Sequence, residues 1–244
     1  MMGNKKTLSD TSVVVATHER MEMLKDLLDS FSRLNCLPGE VIVIDDGSEK
    51  EVAPNLDLDT YPYTLKVFRN EEPKGPAGAR NVGVHRSRGE IIAFTDDDCI
   101  VESGWLKNLY SHLKSGDEML GGVGGKVKAY DDDIFSKYYE FKSILEPRPH
   151  DREHPNRIPY LVTANCAVTR EAFMRAGGFD ENIDKAGGDD CAMSMRMAKS
   201  GYYFEKEEDA VIFHRFKKGF RNLYRTFYRY GKGGRYVVDR YLPL

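Results

Sequence analysis

Residues 12–17 (SVVVAT) and 40–45 (EVIVID) are short, nearly unbroken apolar runs rich in β-branched side chains, as in strands covered on both faces. Between them, from Glu19 to Asn35, Met23, Leu24, Leu27, Leu28, Phe31 and Leu34 fall on one helical stripe. The alternation continues with a strand over 64–69, a helix over 77–87 broken by Gly89, a strand over 90–95 (EIIAFT) and a helix over 102–114. Strands alternating with helices imply right-handed crossovers and a mostly parallel central sheet flanked by helices, an α/β class.

The pattern changes after Gly121. GGVGGKVKAY reads as a glycine-rich strand, and 134–145 as a helix. Residues 146–159 (EPRPHDREHPNRIP) carry four prolines and almost nothing apolar, which predicts a surface loop long enough for a lid or binding loop. A strand is expected over 160–170, a short helix over 171–176, a helix over 189–200 ended by Gly201, and a last strand over 211–214. In 216–230 (FKKGFRNLYRTFYRY), Phe216, Phe220, Leu223, Tyr224, Phe227 and Tyr228 recur at spacings of three and four. Lys217, Arg221, Arg225 and Arg229 take another face, giving an amphipathic basic helix.

Charge sharpens this division. The 244 residues carry a net charge of −3, but nine basic residues against one acid make 215–244 +8 and leave 1–214 at −11. An acidic body argues against nucleic acid as partner. The basic helix has two readings: packing of its aromatics on the domain, or adsorption to an anionic membrane through 215–240. No apolar run nears the ~20 residues of a membrane span, and the first ten residues lack the apolar segment of a signal peptide. Cys36, Cys99, Cys166 and Cys191 are far apart, which fits small core residues in a reducing, cytoplasmic setting, with peripheral placement at the inner membrane face under the second reading.

Open α/β sheets bind ligands beyond the carboxyl ends of their strands. Asp45 and Asp46 end the second strand, Asp96, Asp97 and Asp98 end the fourth, and Asp189 and Asp190 start a helix after Gly187-Gly188. Adjacent carboxylates beside a buried strand repel one another unless a cation or strong donors compensate, and hard divalent cations prefer such oxygens. Asp131-Asp132-Asp133 follows a polar segment instead and reads as a solvated turn. Residues 71–83 (EEPKGPAGARNVG) place Lys74 and Arg80 around a glycine-marked helix start, which is either a phosphate site or an ordinary strand-to-helix loop. His150 and His154 have metal-ligand spacing only on a helix, which the nearby prolines oppose.

Six stretches in order resemble a family 2 glycosyltransferase of GT-A fold: VVVATHER, VIVIDDGS, GPAGARNVGV, GEIIAFTDDDCIV, TANCAVTREAFMRAGGFDE and GGDDCAMSMRM. The resemblance covers 12–214. It implies a Rossmann-like GT-A domain over 1–214, with a nucleotide-binding half at 12–115 and an acceptor-binding half at 116–214, followed by the basic helix and tail at 215–244. It implies transfer of a sugar, with inversion, from a nucleotide-diphosphate sugar to a glycan, lipid-linked or small-molecule acceptor hydroxyl. Ala16, Thr17, Glu19, Asp45 and Asp46 would hold base and ribose, and Lys74 and Arg80 would face the nucleotide or diphosphate. The family's DxD motif falls on Asp96-Asp97-Asp98, which would hold Mg or Mn in either of two registers. Asn165 would lie near the donor sugar, and His214 is either a metal or diphosphate contact or a packed residue.

Asp190 matches the family's general base, while Asp189 replaces a glutamate, so the two roles can be exchanged. Both stand in a first helical turn, where the dipole favours ionised carboxylates and where aspartate also serves as a cap. Two other classes remain: a catalytically silent nucleotide-sugar or cation-binding module, and a sugar nucleotidyltransferase. The latter needs a glycine-rich, arginine-bearing loop after the first strand, where this chain has ATHER.

Overall fold

A computed structural model of the chain describes residues 5–149, 151–183 and 187–242. His150 lies outside these, so the pairing of His150 with His154 is not placed. Strands β3 (Leu65–Arg69), β2 (Cys36–Asp45), β1 (Lys6–Thr17) and β4 (Ile91–Thr95) lie side by side in that order, all parallel. β8 (Asn165–Thr169) joins β4 antiparallel, followed by β6 (Leu120–Ala129), β9 (Tyr203–His214) and β5 (Cys99–Val101), while β7 (Arg157–Ile158) pairs with β9. β6 and β9 run parallel to each other and antiparallel to β8, β5 and β7.

Apolar clusters cover both faces of the sheet. α1 (Met21–Phe31) and α3 (Trp105–Ser115) bury Leu24, Leu27, Leu28, Phe31, Trp105 and Leu109 against one side. α2 (Gly75–Arg86), α5 (Arg170–Arg175) and α6 (Asp189–Lys199) bury Ala77, Phe173, Met193 and Met197 with Phe94 against the other. Phe31 stacks on Trp105 at 5.8 Å, and each side chain of this size taken from water stabilises the fold by roughly 1.5–3 kcal/mol. Glycine sets the spacing of α2. A Cβ on Gly83 would lie 2.4 Å from Val14 Cγ1 of β1, so this contact lets the helix settle on the sheet.

Several elements differ from expectation for identifiable reasons. β9 begins at Tyr203, because its charged stretch 205–208 is neutralised residue by residue. His112 sits between Glu205 (2.8 Å) and Glu207 (2.9 Å), and Lys206 between Glu146 (3.0 Å) and Glu208 (2.6 Å). β5 is only three residues long and was hidden behind the aspartate run. Residues 160–164 form a turn before β8 rather than part of a strand. α4 (Ile134–Phe141) is capped by Asp133, which accepts from Phe135 N and Ser136 N; Asp131 and Asp132 pair with Lys218 and Lys137.

The C-terminal helix α7 (Phe220–Tyr241) starts later and runs further than the 216–230 pattern predicts. Tyr236 and Tyr241 both donate to Asp180 Oδ2, at 3.0 and 2.6 Å. Burial would raise the Asp180 carboxyl, yet these hydroxyls and Asn182 hold it at about 2. α7 also crosses the Gly187-Gly188 turn that leads into α6. A Cβ on Gly233 would stand 1.7 Å from the Gly187 carbonyl oxygen.

Two outcomes follow. Gly233→Ala should destabilise the protein by about 1–3 kcal/mol in urea unfolding, because backbone must shift. Gly231→Ala, with nothing within 4 Å of its Cβ, should be neutral or gain up to ~1 kcal/mol. His112 is held charged: burial lowers its pKa, but the two glutamates outweigh this and raise it above 6.5. Its contribution is complete below the unfolded-state pKa and is lost as pH rises through the folded one. Urea midpoints from pH 6 to 9 should fall more steeply for the wild type than for His112→Gln.

Candidate active site

β1, β2 and β4 end side by side at their carboxyl ends, and the loops beyond them open onto a cleft of about 920 Å³. Ala16, Thr17, Asp46, Lys74, Arg80, Asp96, Asp97, Asp98, Asp189, Asp190 and His214 all line it. The acidic groups that are far apart in sequence thus share one space, and two arginines divide them.

Arg20 donates through Nη1 to Asp97 Oδ1 and Asp98 Oδ2, both at 2.7 Å. Arg80, almost wholly buried, donates to Asp96 Oδ1 at 2.6 Å and Asp189 Oδ2 at 2.8 Å. Burial opposes the charge of each arginine, but the surrounding carboxylates outweigh it and raise both pKa values. The three strand-end aspartates therefore differ. Burial pushes the Asp97 carboxyl up to about 6, Asp98 adds to the rise, and Arg20 and the Thr17 hydroxyl (2.7 Å) only partly offset it. Burial would raise Asp96 too, yet Arg80, His214 and Arg20 hold it below its ordinary value.

Both oxygens of Asp97 are engaged, whereas Asp98 Oδ1 is buried without a hydrogen-bond partner among the described residues. It lies 3.4 Å from His214 Nε2. That ring, stacked on Phe216 at 4.6 Å, leaves its own Nδ1 unpartnered. An orphaned carboxylate oxygen beside an imidazole nitrogen is a donor set that fits a divalent cation. Cys99 lies within reach of the same pair, but burial, then Asp98, raises its thiol well above the ordinary range and so disfavours a thiolate ligand.

The two aspartates of α6 also separate. Asp189 is committed to Arg80 and to the Gly187 N–H. Asp190 accepts from the adjacent Cys191 N–H and faces the cleft with its remaining acceptor capacity. Burial and the neighbouring Asp189 push the Asp190 carboxyl up to about 7.

Three expected contacts lie elsewhere. Asp45, at 1% exposure, holds the following turn by accepting from Ser48 N and Val52 N and pairs with Arg69 at 2.6 Å. Asn165 is buried and tied inside the domain, accepting from Trp105 Nε1 and donating both amide hydrogens to the Lys126 and Ala210 carbonyls. Glu19, at φ 58°, turns to the Ser48 hydroxyl and the Glu49 N–H. Asp46 reaches the cleft edge, though its carboxylate accepts from Asn70, Lys74 N and Gly75 N and so anchors the start of α2.

Other lining residues escaped the sequence reading: His18, Arg20, Tyr160, Phe216, Thr226, Arg229 and Tyr230. Arg20 had a signal, a cation three residues past a strand end opposite three aspartates. Arg229 and Tyr230 had none, because facing the cleft depends on where α7 docks.

The family model described as "Glycosyl transferase family 2" matches residues 12–177. Polypeptide N-acetylgalactosaminyltransferase 13 of Rattus norvegicus is 27% identical over 96% of this chain and 45% of its own length. The pre-mycofactocin glycosyltransferase of Mycobacterium tuberculosis is 27% identical over 84% of this chain and 42% of its own length. The chain thus spans less than half of either relative. Among solved structures, the mannosyltransferase PcManGT from Pyrobaculum calidifontis, in complex with GDP-Man and Mn2+, superposes with TM-score 0.68 at 21% identity, covering 93% of this chain and 64% of that one. GalNAc-T7 with UDP, GalNAc and Mn2+ gives 0.69 at 19% identity, over 85% of this chain and 43% of that one. The matched family model covers most of the chain and includes the strand ends that build the cleft, and the fold agrees with these neighbours: the chain belongs to glycosyl transferase family 2.

Proposed function

We propose that the chain transfers a sugar, with inversion, from a nucleotide-diphosphate sugar to an acceptor hydroxyl, with Asp190 as general base. The observation that carries this reading is the division of labour at the start of α6, where Asp189 is spent on Arg80 while Asp190 faces the cleft. Removing one partner of a buried ion pair costs about 3–5 kcal/mol, so Asp189 serves better as the group that positions Arg80. The raised pKa of Asp190 places its proton affinity near operating pH, where a general base works best.

The donor lies across the ends of β1, β2 and β4 in this reading, with Ala16, Thr17, Asp46 and Lys74 bordering the nucleotide and residues 12–115 forming the donor half. Residues 116–214 form the acceptor half. Asp98 and His214, with Asp96 as the other aspartate of the pair, would hold Mg or Mn, in the register that leaves Asp97 to Thr17 and Arg20. When bound there, the ion neutralises the diphosphate as a Lewis acid and stabilises the departing nucleoside diphosphate. Arg80 keeps Asp96 ionised and aimed inward. Asp190 takes the proton of the acceptor hydroxyl as its oxygen attacks the anomeric carbon, opposite the breaking bond to the diphosphate. The Mn2+ in the PcManGT and GalNAc-T7 complexes supports the cation. These neighbours carry different nucleotides, so the reading leaves the base unassigned.

Asp190→Asn should lower transfer by about 10²–10⁴-fold while donor binding persists. Because the base acts deprotonated, log rate in the wild type should fall with unit slope as pH drops below about 7, a limb that initial rates at saturating donor would reveal. His214→Phe keeps a ring against Phe216 and removes the nitrogen. In titrations with MnCl2 alone it should weaken binding about tenfold or more; unchanged affinity would remove His214 from the site.

A further inference from the structure

Large apolar side chains exposed among the described residues concentrate on two adjacent helices. On α4, Ile134, Tyr138 and Phe141 recur at i, i+4 and i+7, with Ile134 and Phe141 at 77% and 78% exposure. On α7, Phe220 (80%), Tyr224 (70%), Phe227 and Tyr228 (66%) form a stripe that continues to Val238 and Leu242. The stripes meet where Phe135 packs edge-on against Phe220 at 5.1 Å and Tyr138 against Phe227 at 6.5 Å. A contiguous apolar surface of this kind marks an interaction site.

Its flank is basic. Arg221, Arg225, Lys232, Arg235 and Arg240 are exposed along α7, and the lone acid among them, Asp239, is neutralised by Arg235 at 2.7 Å. Lys142 lies 5.4 Å above the Phe141 ring. The nearby acids do not outweigh this charge: Asp131 and Asp133 share Lys218, Asp132 pairs with Lys137 and Glu140 accepts from Ala129 N, which leaves the cations of α7 in excess.

We propose that the α4–α7 face docks on an anionic lipid surface, with the aromatic and aliphatic side chains at the acyl boundary and the cations among the headgroups. A second copy of the chain is disfavoured as occupant, because a self-complementary contact sets the same positive flank against itself. Thr226, Arg229 and Tyr230 of the same helix line the cleft, so docking holds the cleft beside the headgroups and favours an acceptor hydroxyl borne on a lipid. That consequence for the acceptor rests on the transfer reading above; the docking itself does not.

Co-sedimentation of the full chain with phosphatidylcholine vesicles, alone or mixed with phosphatidylglycerol, tests it. The chain should pellet with the anionic vesicles, and less so as salt is raised. Phe220→Ser/Tyr224→Ser/Tyr228→Ser and Arg221→Glu/Arg225→Glu should each lower the partition coefficient about tenfold or more. None of these residues lines the cleft, so both variants should keep the wild-type response to nucleotide sugar. Equal recovery on both vesicle types, or variants that bind like wild type, would overturn the proposal. So would self-association in sedimentation velocity, abolished by the aromatic variant, in a chain that leaves vesicles untouched. A wild-type chain that binds donor but no vesicles would sink the docking alone, and one that binds anionic vesicles but no donor would sink the transfer reading alone.

Discussion

Carboxylates from three places in the sequence converge on one cleft, and the fold has to neutralise them before any ligand arrives. Arg20 and Arg80 do this. Each bridges two acids at 2.6–2.8 Å, with most of its guanidinium out of water, where opposite charges attract far more strongly than in solvent. The pairing is incomplete in a specific way. It satisfies Asp97 and Asp189, leaves one oxygen of Asp98 orphaned beside His214, and leaves Asp190 protonated more readily than an ordinary carboxylate. What remains after the arginines are counted is one unpartnered carboxylate oxygen beside an imidazole and one carboxylate facing the cleft, and the proposed cation and base rest on these two groups. The site's chemistry is the residue of an electrostatic problem the scaffold solves only in part.

The scaffold's share is positional. Parallel β1, β2 and β4 deliver Thr17, Asp46 and Asp96–Asp98 to a common edge. Gly83 lets α2 lie close enough for Arg80 to reach across to α6. Antiparallel pairing of β5 with β9 sets Cys99 opposite His214, which brings Asp98 to the imidazole. α7 then closes the far wall, clamped through Asp180 and the Gly187–Gly233 contact.

The parallel half was legible in the chain because its strands are apolar on both faces and its helices keep a single stripe. The convergence of Asp96–Asp98, Asp189 and Asp190 was also legible, since charge next to a buried strand or in a first helical turn is informative, whereas His214 and the role of Asp190 were expected from the family resemblance. What the sequence hid depends on distant partners. The strand expected over 211–214 gives no sign of beginning at Tyr203 until His112 is seen between Glu205 and Glu207 and Lys206 against Glu208. The resemblance puts Asn165 near the donor sugar, but Trp105 and two backbone carbonyls hold it inside the domain. The basic helix carried two readings, and the structure supplies a packed face and an exposed one on the same element.

Binding of a nucleotide-diphosphate sugar in this cleft together with a divalent cation is the central expectation. The most direct measurement is the melting temperature of the wild-type chain with UDP-, GDP- and dTDP-sugars, each with Mn2+ and with EDTA. At a donor concentration about a hundredfold above Kd, one class of donor should raise the melting temperature by about 5–10 °C with Mn2+ and far less with EDTA. No shift with any donor in Mn2+, or the same shift in EDTA, would contradict it.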